Sequence, residues 1–182
     1  KQAIERFGDP QQAKFVFRAR NDWQGGSRNR SQIAGYSVAG QQLEREQPFA
    51  LDCDEPPEFT GRDSAPNPVE YLLHALAGCV TTTLVMHAAA RGIEIQSVQS
   101  ELEGDIDVRG FLGLDKNVPR GFQRIRLTLR VASAAPAEQL AELVRYSPVF
   151  NSLTQTVPIE LKVQKRPGSA ADSNDEDAKG LA

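Results

Sequence analysis

Cys79 stands at the middle of the most apolar stretch of the chain, NPVEYLLHALAGCVTTTLVMHAAARG, residues 67–92, and the only other cysteine is Cys53. A thiol in such a place either fills space as a small hydrophobe or reacts as a nucleophile. A position in the middle of a helix receives nothing from the helix N-terminus, so forming a thiolate there requires a cation delivered from elsewhere in the fold. Candidates are near the first turn of the chain. Arg18, Arg20, Arg28 and Arg30 lie in or beside NDWQGGSRNR, and a guanidinium facing Cys79 would favour the thiolate, the form that attacks a peroxide or a disulfide. Taken by themselves, the residues leave packing and reaction both open.

Other polar groups carry two readings each. Cys53 precedes a proline-rich connection and is either the filler at a strand end or a second thiol; pairing with Cys79 would need Cα atoms within roughly 7 Å. His74, five residues before Cys79, falls about 140° round a helix from it, and His87, eight residues after, about 80°. His74 is expected as a packing or interface histidine, and His87 as a partnered core histidine rather than a general base. Glu58, Arg62 and Asp63 suit a solvated loop or a pocket mouth. Trp23 and Tyr36 suit sheet packing or the border of an apolar cleft. Arg124, Arg126 and Arg130 suit a wet sheet face or cross-chain ion pairs.

The element that must hold Cys79 has a strong start signal: Asn67 as N-cap, Pro68 at the first helical position and Glu70 closing a capping box. Gly92 supplies the stop. The spacing predicts a helix from Pro68 to Arg91, roughly 36 Å long and apolar nearly all round, which places it in the middle of something. Before it, Lys14–Arg20, Ser31–Val38 and Pro48–Cys53 read as strands of an antiparallel sheet, with residues 21–30 as a turn and 54–66 as an irregular connection. After it, Glu94–Arg109 and Phe122–Val131 read as strands around a glycine-rich loop, Ala137–Tyr146 as a helix, Ser147-Pro148 as the cap of a short helix to Leu153, and Val157–Val163 as a closing strand. The order is α+β. Residues 1–13 read as an extension, 14–164 as one domain and 165–182 as a disordered tail.

Bulk properties narrow the function. The chain has 182 residues and a net charge of -3, which offers no electrostatic case for nucleic acid or an anionic membrane. Glu70, His74, Thr81 to Thr83 and His87 interrupt the apolar run too often for a spanning helix. Two histidines and two cysteines give no ligand cluster at zinc spacing. No signal-like segment opens the chain, so a cytoplasmic location is expected.

The segments APNPVEYLLHALAGC, VTTTLVMHAAARGIEI, GFQRIRLTLRV, ELVRYSPVFNSL and VPIELKV together resemble the osmotically inducible protein C and organic hydroperoxide resistance (OsmC/Ohr) superfamily, from about Phe15 to Val163. The most specific piece is the Asn-Pro helix start twelve residues before the cysteine. The resemblance implies an OsmC-like fold, with antiparallel sheets wrapped around a long central helix, and an intertwined homodimer whose active sites lie at the subunit interface. It implies that Cys79 is a peroxidatic thiol, oxidised by organic hydroperoxides to a sulfenic acid. The arginine that holds the family's thiolate is matched best by Arg28 and next by Arg30. The family's glutamate after Asn-Pro is replaced by Val69, and Glu70 comes one residue later, about 100° round the helix; Glu70 is expected as a cap before an arginine partner.

A larger departure lies at Ser147-Pro148, where the family has Cys-Pro and a resolving thiol. A hydroxyl closes no disulfide, so either an external thiol reduces Cys79, or Cys53 does, or turnover is lost. The leading expectation is a thiol-dependent reductase of small apolar hydroperoxides that uses an external thiol and needs no metal, flavin or nucleotide. Its rival is a non-catalytic stress or ligand-binding protein with a vestigial cysteine.

Overall fold

The computed structural model describes residues 7–155 and 157–165. Its first sheet holds β1 (Phe15–Phe17), β2 (Arg20–Gly25), β3 (Arg28–Val38) and β4 (Gln41–Cys53). β3 is the spine: it pairs with β2 and β1 at its two ends and with β4 along its length, all antiparallel. The turn expected over residues 21–30 is much tighter than that. Both strands run up to Gly25 and Arg28, and Gly25 and Gly26 reverse the chain at φ of 94° and 59°, values that side chains with a Cβ rarely adopt. Arg28 and Arg30 therefore sit on a strand rather than in a loop.

The helix α1 (Pro68–Ala90) follows the connection, and its cap is the expected one. Asn67 Oδ1 accepts from the Glu70 N–H at 2.9 Å, and Glu70 Oε2 accepts from the Asn67 N–H at 2.8 Å. At the other end Gly92 turns the chain away at a φ of 69°. Next come β5 (Ser97–Asp105), the single turn α2 (Val108–Phe111), β6 (Arg124–Ala132), α3 (Ala137–Val144) and α4 (Pro148–Thr154). The strand expected as far as Arg109 stops at Asp105, because Asp107 accepts from the Arg109 N–H at 3.0 Å and starts α2. A local cap outweighs weak alternation there.

β5 and β6 form an antiparallel pair with strict alternation, Leu102 opposite Leu127 and Val98 opposite Val131. On their outer face Arg126 reaches Glu103 at 2.9 Å and Asp105 at 2.7 Å, while Arg130 reaches Glu101 at 2.9 Å. These arginines form cross-strand pairs on a wet face. The inner face meets Leu76, Val80, Leu84 and Ala88 of α1 and Leu140, Leu143 and Val144 of α3, which together make the core.

α1 is thus covered on one flank. His74, Ala75, Gly78, Thr82, Val85, Met86 and Ala89 on the other are exposed, Met86 by 66%. By length and composition α1 is also apolar enough to cross a membrane; its covered flank packs on β5, α3 and α4. Among the described residues the β1–β4 sheet makes no extended contact with α1, and its Phe15, Phe17, Trp23 and Phe49 are exposed.

The expected α+β class, with antiparallel sheets and one long helix, is what the chain adopts. Residues 157–163 do not form the expected closing strand. They pair with nothing among the described residues, and Ile159 and Leu161 are 90% and 86% exposed. Alternation marks a segment able to pair but does not supply its neighbour. The expected tail lies, from residue 166 on, outside the described residues.

Leu84 is wholly buried in the core. Leu84→Ala is expected to lower stability by about 2–5 kcal/mol, the range for emptying a leucine site, measured by urea denaturation at fixed protein concentration.

Candidate active site

Cys79 lies eleven residues after Pro68, about 16 Å along α1. It is half-buried and free. Helix geometry sets it on the margin between the two flanks: buried Thr83 is about 40° away on one side, exposed Ala75 and Met86 about 40° and 20° on the other. Among the described residues no side chain hydrogen-bonds its sulfur, and no guanidinium reaches it within one chain.

The two arginines singled out as thiolate partners stand elsewhere, around the other cysteine. Gln24, Arg28, Asn29, Arg30, Asp52, Cys53 and Ser64 line a cleft of about 260 Å³. Arg30 is occupied: its Nε and Nη2 donate to the two oxygens of Asp52 at 2.6 and 2.8 Å, and that hydrogen bond, with a smaller contribution from the charges of Arg30 and Arg28, holds the Asp52 carboxyl below its usual value. Arg28 is exposed and, among the described residues, has no carboxylate partner. Of the two, Arg28 is the one whose charge is available.

Cys53 is a poor nucleophile where it stands. Burial, then the negative charges of Asp52 and Glu55, push its thiol upward, which suppresses the thiolate at neutral pH. Nor does the fold bring it to Cys79. Tyr71 Oη donates to the Asp52 carbonyl at 2.9 Å, which fixes the end of β4 beside the first turns of α1; Cys79 lies about 12 Å further along the axis than Tyr71.

Glu70 is held in its capping box, away from any arginine pairing. Ser147, where the resemblance led one to expect a second thiol, is completely buried and caps α4, its Oγ accepting from the Phe150 N–H at 3.3 Å. His74 is exposed. His87 stacks on Tyr146 at 4.4 Å and takes a 2.9 Å contact from Arg91. Trp23 donates Nε1–H to the Gly26 carbonyl at 2.8 Å and so closes the β2–β3 turn. Tyr36 stacks on Phe17 at 6.0 Å beneath the Arg45 guanidinium. Two apolar clefts, about 430 and 460 Å³, run along β6 between Leu72, Leu127, Phe150 and Leu140; Cys79 lines neither. Among the described residues no His, Cys, Asp and Glu group is disposed to hold a metal ion.

One residue of this region was not singled out from the sequence. Asp54, directly after β4, is fully buried and accepts five hydrogen bonds: from Ser27 Oγ at 2.7 Å, Ser64 Oγ at 2.7 Å and the N–H groups of Glu55, Ser64 and Arg62 at 2.9, 3.1 and 3.2 Å. The serine hydroxyls first, then the backbone donors, hold its carboxyl far below the usual range against the opposing effect of burial. The only cue in the sequence is an acidic residue closing a strand before Glu55-Pro56-Pro57, a turn signal that says nothing of its donors.

These features describe a small α+β thiol protein with one free cysteine on a capped, one-sided helix. The family model for OsmC-like proteins matches residues 61–162, more than half of the chain, and the chain belongs to that family. Among solved structures it is similar to an OsmC-like protein from Mycoplasma pneumoniae, with 17% identity, 77% of this chain and 88% of that one covered, and a TM-score of 0.57. It is also similar to an OsmC-like protein of unknown function from Vibrio cholerae, with 11% identity, 75% and 92% covered, and a TM-score of 0.55. Identities this low speak for a shared fold alone. No curated protein sequence matches the chain.

Two outcomes follow from the charges. A carboxyl held low in the folded state contributes stability that is complete above the unfolded value, near pH 4, and is lost as the pH falls below it. Asp54→Asn lacks that dependence, so its melting temperature is expected several degrees below wild type at pH 6–7, with the gap closing as the pH drops below about 4. Cys53 is expected to react with iodoacetamide at pH 7 more slowly than a free cysteine peptide, read by mass spectrometry of the Cys53 fragment.

Proposed function

We propose that the protein is a thiol-dependent reductase of organic hydroperoxides, with Cys79 as its only redox-active thiol and a homodimer as its working form. The observation that carries this reading is the place of Cys79: free, half-buried, eleven residues into a capped helix of an OsmC-like protein, on the edge of a flank its own chain leaves bare. A second copy would cover that flank, seating the small residues Ala75, Gly78 and Ala89 of the two α1 helices together and burying Val85 and Met86. Arg28, which forms no ion pair among the described residues, would supply the guanidinium that favours the thiolate once the two copies meet.

In the proposed reaction the Cys79 thiolate attacks the outer peroxide oxygen of ROOH. An S–O bond forms, the O–O bond breaks, and RO⁻ leaves to be protonated as the alcohol; sulfur is oxidised and the peroxide reduced. Because Ser147 offers no second thiol and Cys53 is held protonated away from Cys79, an external thiol attacks the sulfenic acid, water leaves, and a second equivalent of that thiol releases Cys79 and a disulfide. The proposed compartment is the cytoplasm, where such thiols are kept reduced.

A second reading, a ligand-binding protein with an unused cysteine, draws on the two apolar clefts along β6 and on Ser147. One assay separates the two: peroxide consumption with dithiothreitol or dihydrolipoamide as reductant. Cys79→Ser is expected to lower turnover by about a hundredfold or more, as loss of a nucleophile does, while Cys53→Ser keeps it. Equal turnover in Cys79→Ser would dismiss the reductase, and sedimentation at the mass of one chain would dismiss the dimer.

A further inference from the structure

Asp54 is a buried carboxylate, and its five donors are all neutral. Four of them, on Glu55, Arg62 and Ser64, come from the connection that follows it and make a local knot ahead of Asn67. The fifth is different in kind. Ser27 lies on the β2–β3 turn, and its bond to Asp54 Oδ1 at 2.7 Å spans 27 residues of chain. Ser27 is also the immediate neighbour of Arg28. A single carboxylate thus clamps the strand end that bears the Arg28 guanidinium to the segment that launches α1.

We propose that Asp54 is a positioning residue for Cys79: through Ser27 it fixes the Arg28 guanidinium relative to α1, and so sets how strongly that charge acts on the thiol. This inference rests on the pairing of Arg28 with Cys79 proposed above. A carboxylate suits the task better than an amide. Its two oxygens are acceptors only, whereas an asparagine would turn an NH₂ group toward the Arg62 and Ser64 donors or toward Ser27. Charge-assisted bonds are also shorter and stronger than neutral ones, which makes the clamp stiff where a long arginine side chain on an exposed strand end would otherwise wander. The β3–β4 ladder, with Asn29 opposite Cys53, holds the backbone of the strand end, and the Ser27–Asp54 bond adds the tie that reaches the turn itself.

The test separates the clamp from the knot. The rate of Cys79 alkylation by iodoacetamide is followed from pH 5 to 10 by mass spectrometry of the Cys79 fragment, beside the melting temperature of each variant. Ser27→Ala cuts only the bond to the turn; it is expected to displace the profile to higher pH and to lower the rate at pH 7 about tenfold, the effect of a displacement of about one pH unit. Ser27→Thr, which keeps the hydroxyl, restores the wild-type profile. Ser64→Ala loosens the knot and is expected to lower the melting temperature with the profile unmoved. Asp54→Asn should do both, and if it fails to fold, Ser27→Ala decides. A wild-type profile in Ser27→Ala, when Arg28→Gln displaces it, overturns the role of Asp54 and leaves the Arg28 pairing intact. A wild-type profile in Arg28→Gln as well overturns both.

Discussion

A helix that is apolar on every side must be covered on every side, and a single chain of this protein covers one flank. That constraint governs the rest of the molecule. Val80, Leu84 and Ala88 are withdrawn from water by β5, β6 and α3, at about 25 cal/mol for each Å² of apolar surface removed. Val85, Met86 and the small residues Ala75, Gly78 and Ala89 have no such cover. The β1–β4 sheet repeats the imbalance with Phe15, Phe17 and Phe49, and residues 157–163 repeat it again. Three separate apolar surfaces stay open on one chain among the described residues, and the thiol lies where two of the helix's sides meet.

What the sequence made legible is what local chemistry dictates. The capping box, the Pro68 start and the Gly92 stop place α1 to within a residue, because each signal acts within one turn of the backbone it caps. β6 was equally clear, since Ile125, Leu127, Leu129 and Val131 alternate strictly with Arg124, Arg126, Thr128 and Arg130. Where alternation was weak, as beyond Asp105, a nearby aspartate took the backbone for a helical turn. Where alternation was strong but a neighbour was needed, as at residues 157–163, the pattern stood without the pairing. Periodicity specifies which face a residue takes, not what lies opposite.

The candidate site was less legible for the same reason. Cys79 could be found from its surroundings in the chain, and so could Ser147 as a cap. The surroundings of Arg28 and Arg30 could not, because Asp52 and Cys53 reach them only across the β3–β4 ladder. Asp54 is the extreme case: its partners are gathered from the β2–β3 turn and the connection, and no residue type or interval in the sequence announces that a carboxylate is buried there. Its burial becomes intelligible only with all five donors in place, since without them a charge in that position would be strongly unfavourable.

The serine at the head of α4 has a consequence of its own. A cysteine there would make the capping atom a participant in electron traffic, so that the joint between α3 and α4 would tighten or loosen with each oxidation. A hydroxyl gains and loses nothing under such conditions. The cap at Ser147 is therefore made by a group that does not change with the redox state of its surroundings.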